Sequence, residues 1–178
     1  ATLGADSLAL QNGIKAAEEN MLGLPPAING ALDVSVLFMD IRDGYSDSGE
    51  FVAGFFDPQD QYMCLHINGL SWQPGATENT CTSPYEWTSN GNGLNLIYID
   101  SNPSKIDTAG LESSLFTLAH EYQHLLHWNS DFREGYFGSV DTGWTFHNPW
   151  LNEGLSDLMP SILGLGVRDF TPYLDNPT

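Results

Sequence analysis

Residues 120–124 read HEYQH, and that spacing has a mechanical consequence. On a helix, positions i and i+4 lie one above the other, so His120 and His124 offer two imidazoles to a single point. Two converging imidazoles begin a zinc site, and a catalytic zinc takes three protein ligands and keeps one position open. Glu121, one step along the helix, sits beside that point, free to take a proton from water there without binding the metal. The chemistry expected of this group is hydrolysis by a metal-activated water with Glu121 as general base.

The third ligand must come from elsewhere. In the HExxHxxGxxH pattern a glycine turns the chain so that a third His swings in. Here His127 follows Leu125 and Leu126 with no glycine, so it is expected one turn further along, lining the cleft or supporting a ligand. Residues 152–157 read NEGLSD, which places Glu153 and Asp157 at i, i+4 on one helix face. Glu153 can complete a His2Glu site. Asp157 can accept the outer N–H of a ligating imidazole, fixing its tautomer. The competing reading, two solvated carboxylates on an exposed face, leaves HEYQH without a third ligand.

These side chains need two helices and something to pack them on. Residues 111–128 show helical periodicity, with Leu111, Leu115, Leu118, Ala119, Tyr122, Leu125 and Leu126 in one stripe, away from the histidine edge. A second helix is expected over residues 148–163. Asn148 would be its N-cap, Pro149 its first residue, Gly164 its stop, and Pro160 a cause of kinking or shortening. Upstream, residues 6–21 have helical character up to a Gly-Leu-Pro-Pro breaker. Residues 32–41 read as a central strand, with further strands at 51–56, 62–67 and 94–100, while 68–93 and 129–147 read as loop. Strands first and helices after is an α+β order. The expected domain is single: a sheet-rich lobe over about 1–105 and the metal-binding helices over about 106–178.

HEYQH followed about thirty residues later by NEGLSD resembles the gluzincin superfamily of zinc metallopeptidases, the group of thermolysin. The fuller wording is AHEYQHLLHW and WLNEGLSDL, with LDVSVLFMDI, VAGFF and LIYID upstream. It looks closest to the hyicolysin-like neutral zinc metallopeptidases, over residues 32–164. The resemblance implies a thermolysin-like fold, with a twisted, mostly antiparallel sheet packed on the HExxH helix and a second, glutamate-bearing helix. It implies an endopeptidase acting on peptides or proteins, with a Tyr or His as oxyanion donor. Tyr136, His147 and Tyr173 are the candidates. Pro160 and the end of the chain soon after the second helix depart from the family pattern, and the second departure reads as C-terminal truncation. Residues 51–56 are a candidate edge for pairing with an extended substrate.

Composition narrows the alternatives. Five Lys and Arg stand against 23 Asp and Glu, a net charge of −18. That charge repels phosphate backbones and anionic lipid, so neither nucleic acid nor a membrane surface is an expected partner. The chain is expected to be a monomer. No apolar run reaches 18 residues. The start at Ala1, without an n-region or h-region, reads as a mature secreted product. In that setting Cys64 and Cys81 are expected to pair, closing a loop worth ~3 kcal/mol in the chain-entropy model. Asp40, Asp43, Asp47 and Glu50, with Asp57 and Asp60 nearby, are a candidate calcium site, although their spacing is not that of an EF-hand. Two rivals remain: an aminopeptidase of the same superfamily, which lacks here a GxMEN-type stretch, and a catalytically inactive zinc-containing binding or adhesion domain, which has no need of Glu121.

Overall fold

Four consecutive large apolar residues, Leu96 to Ile99, build a strand buried on both sides at Asn95–Asp100, and the main helices and strands pack around it. A computed structural model describes residues 12–28, 31–43, 51–61, 65–66, 87–88, 93–101, 110–138 and 149–167. In chain order the elements are α1 (Ile14–Leu22), β1 (Val34–Met39), β2 (Gly54–Phe56), a 3-10 turn (Pro58–Gln61), β3 (Leu65–His66), β4 (Trp87–Thr88), β5 (Asn95–Asp100), α2 (Leu111–Gly138) and α3 (Pro149–Ile162). The result is a small α+β domain.

The main sheet has the order β1-β5-β2. Strand β1 runs parallel to β5, from Val34 opposite Asn95 to Met39 opposite Asp100. Strand β2 runs antiparallel, with Gly54 opposite Ile99 and Phe56 opposite Ile97. The sheet is therefore mixed rather than mostly antiparallel. Hydrophobic alternation records which face is buried but not strand direction, and the long β1–β5 connection allows the crossover that a parallel pair needs. Strand β1 also lies at an edge of these three strands instead of at the centre. Its Val36, Leu37, Phe38 and Met39 are exposed, whereas Leu96, Ile97 and Ile99 of β5 are buried. A second ladder pairs Leu65 with Thr88 and His66 with Trp87, so residues 87–88, expected as loop, are strand.

Helix α2 lies across the sheet. Tyr122, Leu125 and Leu126 pack on Ile97 and Ile99, with Leu118, Phe56, Val34 and Ile14 at the margin. A second core joins the helices through Ala17, Ala119, Met159, Leu163 and Leu165. The first residue of the apolar stripe, Leu111, is exposed. The helix continues ten residues beyond its expected end, through residues 129–138. These residues carry no apolar periodicity, and the helix runs through them despite Gly135, with no proline to remove a backbone N–H.

Gly54 explains how closely β2 can approach α2. A Cβ there would lie 2.5 Å from the Tyr98 carbonyl oxygen and 2.7 Å from Thr117 Cγ2, so no other residue fits. Helix α3 runs through Pro160 and ends two residues later in a Schellman motif. Gly164 has φ 77°, Leu165 N–H donates to the Pro160 carbonyl at 2.9 Å, and Gly164 N–H to that of Ser161 at 3.1 Å. Pro160 is fully buried, and its place in the last turn limits the break it can cause.

Helix α1 carries one costly group. Glu18 is 0% exposed, and neither carboxylate oxygen has a hydrogen-bond partner among the described residues. Burial pushes its carboxyl up to about 9. The adjacent Glu19 is well served, pairing with Lys15 and accepting from the Tyr122 hydroxyl at 2.8 Å. Among the described residues no helix is long and apolar enough to cross a membrane.

Candidate metal centre

Helices α2 and α3 bring His120, His124 and Glu153 together. Their ligand-capable atoms all lie within 4.8 Å of one another, the group of this kind found among the described residues. His120 Nε2 and His124 Nε2 are 3.1 Å apart. Glu153 Oε2 is 3.4 Å from the first, and Glu153 Oε1 is 3.5 Å from the second. Zinc–nitrogen bonds of 2.0–2.1 Å in tetrahedral geometry separate neighbouring donors by about 3.3 Å. The spacing therefore fits a small tetrahedral cation. The donor set, two imidazoles and one carboxylate, is of the catalytic type that leaves a fourth position free. The Glu153 side chain is 61% exposed while those of His120 and His124 are 11% and 13%, so the site opens to solvent on the glutamate side.

Each imidazole presents Nε2 because its other nitrogen is engaged. His120 Nδ1 lies 3.0 Å from Asp157 Oδ1, which can only accept when ionised. The i, i+4 pair of carboxylates thus separates, with Glu153 beside the two Nε2 atoms and Asp157 against the far nitrogen of His120. His124 Nδ1 lies 3.0 Å from Ser156 Oγ. Burial lowers the His124 pKa, with the Glu153 charge acting against it. The neutral imidazole favoured by burial is the form that binds a metal.

Glu121 lies beside the group and outside it. Its Oε1 is 4.0 Å from His120 Nε2, beyond bonding reach and within reach of a water between them. The Phe56 backbone N–H donates to its carboxylate, tying the strand edge to the helix. Burial pushes its carboxyl up to about 7, the charges of Glu153 and Asp157 add to the rise, and the Phe56 bond opposes it. A carboxylate poised near neutral pH suits a general base.

The other sequence candidates fall as follows. His127 stays out of the ligand group, and its Nδ1 lies 2.7 Å from Asn152 Oδ1. Tyr136 is on the last turns of α2, with only its backbone described; His147 and Tyr173 lie outside the described residues, as do Cys64, Cys81, Asp47, Glu50 and Asn148. Asp40, Asp43, Asp57 and Asp60 form no metal-holding group among the described residues. Asp43 instead accepts the Val52 N–H at 2.6 Å. Sequence reasoning missed Ser156, Gln123 and Phe56. The signal for Ser156 was available: a small hydroxyl beside Asp157, on the face shared with Asn152. The Phe56 backbone contact is tertiary and leaves no mark in side-chain pattern.

No family model matches the chain. The neutral metalloprotease ShpI of Staphylococcus hyicus is 28% identical to it over 110 residues, covering 60% of this chain and 20% of that protein. The chain thus spans about a fifth of the length of the relative it matches, and over that stretch it is similar to a metalloprotease.

Proposed function

We propose that this chain is the catalytic domain of a secreted, thermolysin-like zinc endopeptidase in which His120, His124 and Glu153 hold the metal and Glu121 is the general base. The observation that carries the reading is the convergence of three donors from two helices at tetrahedral spacing, with a buried carboxylate beside them. The similarity to a neutral metalloprotease supports it. A zinc ion held there supplies a Lewis acid that polarises the scissile carbonyl and acidifies water.

The chain's own residues do the rest. Glu121 takes a proton from the attacking water and delivers it to the leaving amine. The Phe56 N–H keeps that carboxylate directed at the reaction point. Asp157 accepts from His120, holding the ring so that Nε2 faces the donors. Tyr136 and His147 are assigned as candidate donors to the oxyanion. Strand β2 bears no second partner strand among the described residues, and its edge offers main-chain pairing to an extended peptide.

Glu121→Gln tests the reading. The variant should bind zinc like the wild type and fail to cleave internally quenched peptides, while the wild type cleaves them and loses that activity to a chelator. Peptides with blocked amino termini separate endopeptidase from aminopeptidase action. Wild-type turnover by Glu121→Gln would remove Glu121 from its role, and chelator-resistant hydrolysis would remove the metal.

A further inference from the structure

The two histidines are supported by different chemistry. Asp157 only accepts, so a proton on His120 Nδ1 is the sole arrangement it stabilises. Ser156 both donates and accepts. Were its hydroxyl proton turned toward His124 Nδ1, the imidazole proton would sit on Nε2 and block a metal. What decides the tautomer is where the single serine proton goes.

The surroundings of Ser156 direct it. Its Oγ donates to Gln123 Oε1, and the Asn152 carbonyl at 3.0 Å is a further acceptor. Both candidates for the proton are acceptors, which leaves an Oγ lone pair facing His124 Nδ1. Ser156 is 0% exposed and Gln123 1% exposed, so no water competes for these bonds. Gln123 and His124 belong to α2 and Ser156 to α3, three residues past Glu153, so the chain of bonds also sets how the two ligand-bearing helices meet.

We infer that Gln123 and Ser156 are positioning residues that hold His124 as the Nδ1–H tautomer and so keep Nε2 free for the metal. The inference rests on the zinc reading of the site, but its first readout needs no metal. In the metal-free chain, imidazole 15N shifts assign the tautomer of each histidine. Wild type should show His124 protonated at Nδ1, and Ser156→Ala should show a raised share of the Nε2–H form. Zinc affinity, measured by competition with a chromophoric chelator, should fall about tenfold to a hundredfold in Ser156→Ala. Ser156→Thr, which restores the hydroxyl, should recover both. Gln123→Leu removes one of the two acceptors and leaves the Asn152 carbonyl, so it should raise the Nε2–H share and lower affinity by less than Ser156→Ala does, and it supplies the readout should Ser156→Ala fail to fold. Wild-type 15N shifts and affinity in the alanine and leucine variants would overturn the inference. So would a loss of affinity with no change of tautomer, the signature of a merely structural role. A wild type that shows the Nδ1–H form yet takes up no zinc would sink the metal reading and leave the bond chain standing.

Discussion

Glu18 gives the structure a measurable pH signature. Its carboxyl has an ordinary pKa of 4.5 and is raised to about 9 in the fold. A raised carboxyl means that the folded chain binds a proton the unfolded chain has released. Stability is therefore greatest below the unfolded value and declines as pH climbs from 4.5 toward 9, levelling beyond it. The slope is about 1.4 kcal/mol per pH unit, so this one residue should remove about 4 kcal/mol between pH 5 and pH 8. Glu18→Gln keeps the shape and abolishes the charge. Urea unfolding of both proteins in the metal-free state, at pH 5 and pH 8, isolates the effect. Glu121 contributes a slope of the same sign to each and cancels in the difference. The glutamine variant should gain on the wild type by about 4 kcal/mol across that range. Parallel pH profiles would refute the burial argument, because they would mean that Glu18 is ionised and solvated in the fold.

Three further outcomes follow from the site. Asp157→Ala should weaken zinc binding about tenfold to a hundredfold by freeing the His120 ring, which chelator competition measures. Gly54→Ala should cost about 1–3 kcal/mol by forcing β2 off α2, read from denaturant midpoints. It should also slow peptide hydrolysis, because the Phe56 N–H retreats from Glu121. In the pH profile of kcat/KM, the acid limb should have its midpoint at or below about 7, since Glu121 must be ionised to act and a cation nearby would draw its carboxyl down from the metal-free value of about 7.

The site was legible in the sequence to the extent that chemistry and helical spacing coincide. HEYQH and NEGLSD each place side chains on one face by local geometry, so His120, His124, Glu153 and Asp157 stand out as candidates from the sequence, and the structure brings these four together. The extent of α2 was not legible, because residues 129–138 lack the apolar periodicity that marks a helix. Nor was the sheet order. Residues 34–39 are as apolar as a central strand, yet only pairing decides that β5 takes the middle position, and pairing is a property of distant residues. The partners of His124 and Glu121 were hidden for the same reason, since Ser156, Gln123 and the Phe56 backbone acquire their roles only when two helices and a strand edge meet. The burial of Glu18 leaves no mark in the sequence either, because only the packing of α1 encloses it.

X-ray absorption spectroscopy on the zinc-loaded chain bears most directly on the convergence of α2 and α3 upon one cation. The wild type should hold one zinc with two imidazole nitrogens at about 2.0–2.1 Å, completed by oxygen. Glu153→Ala should lose zinc content or an oxygen from the first shell. Failure of the wild type to retain zinc after dialysis, or an identical first shell in the two proteins, would contradict the account.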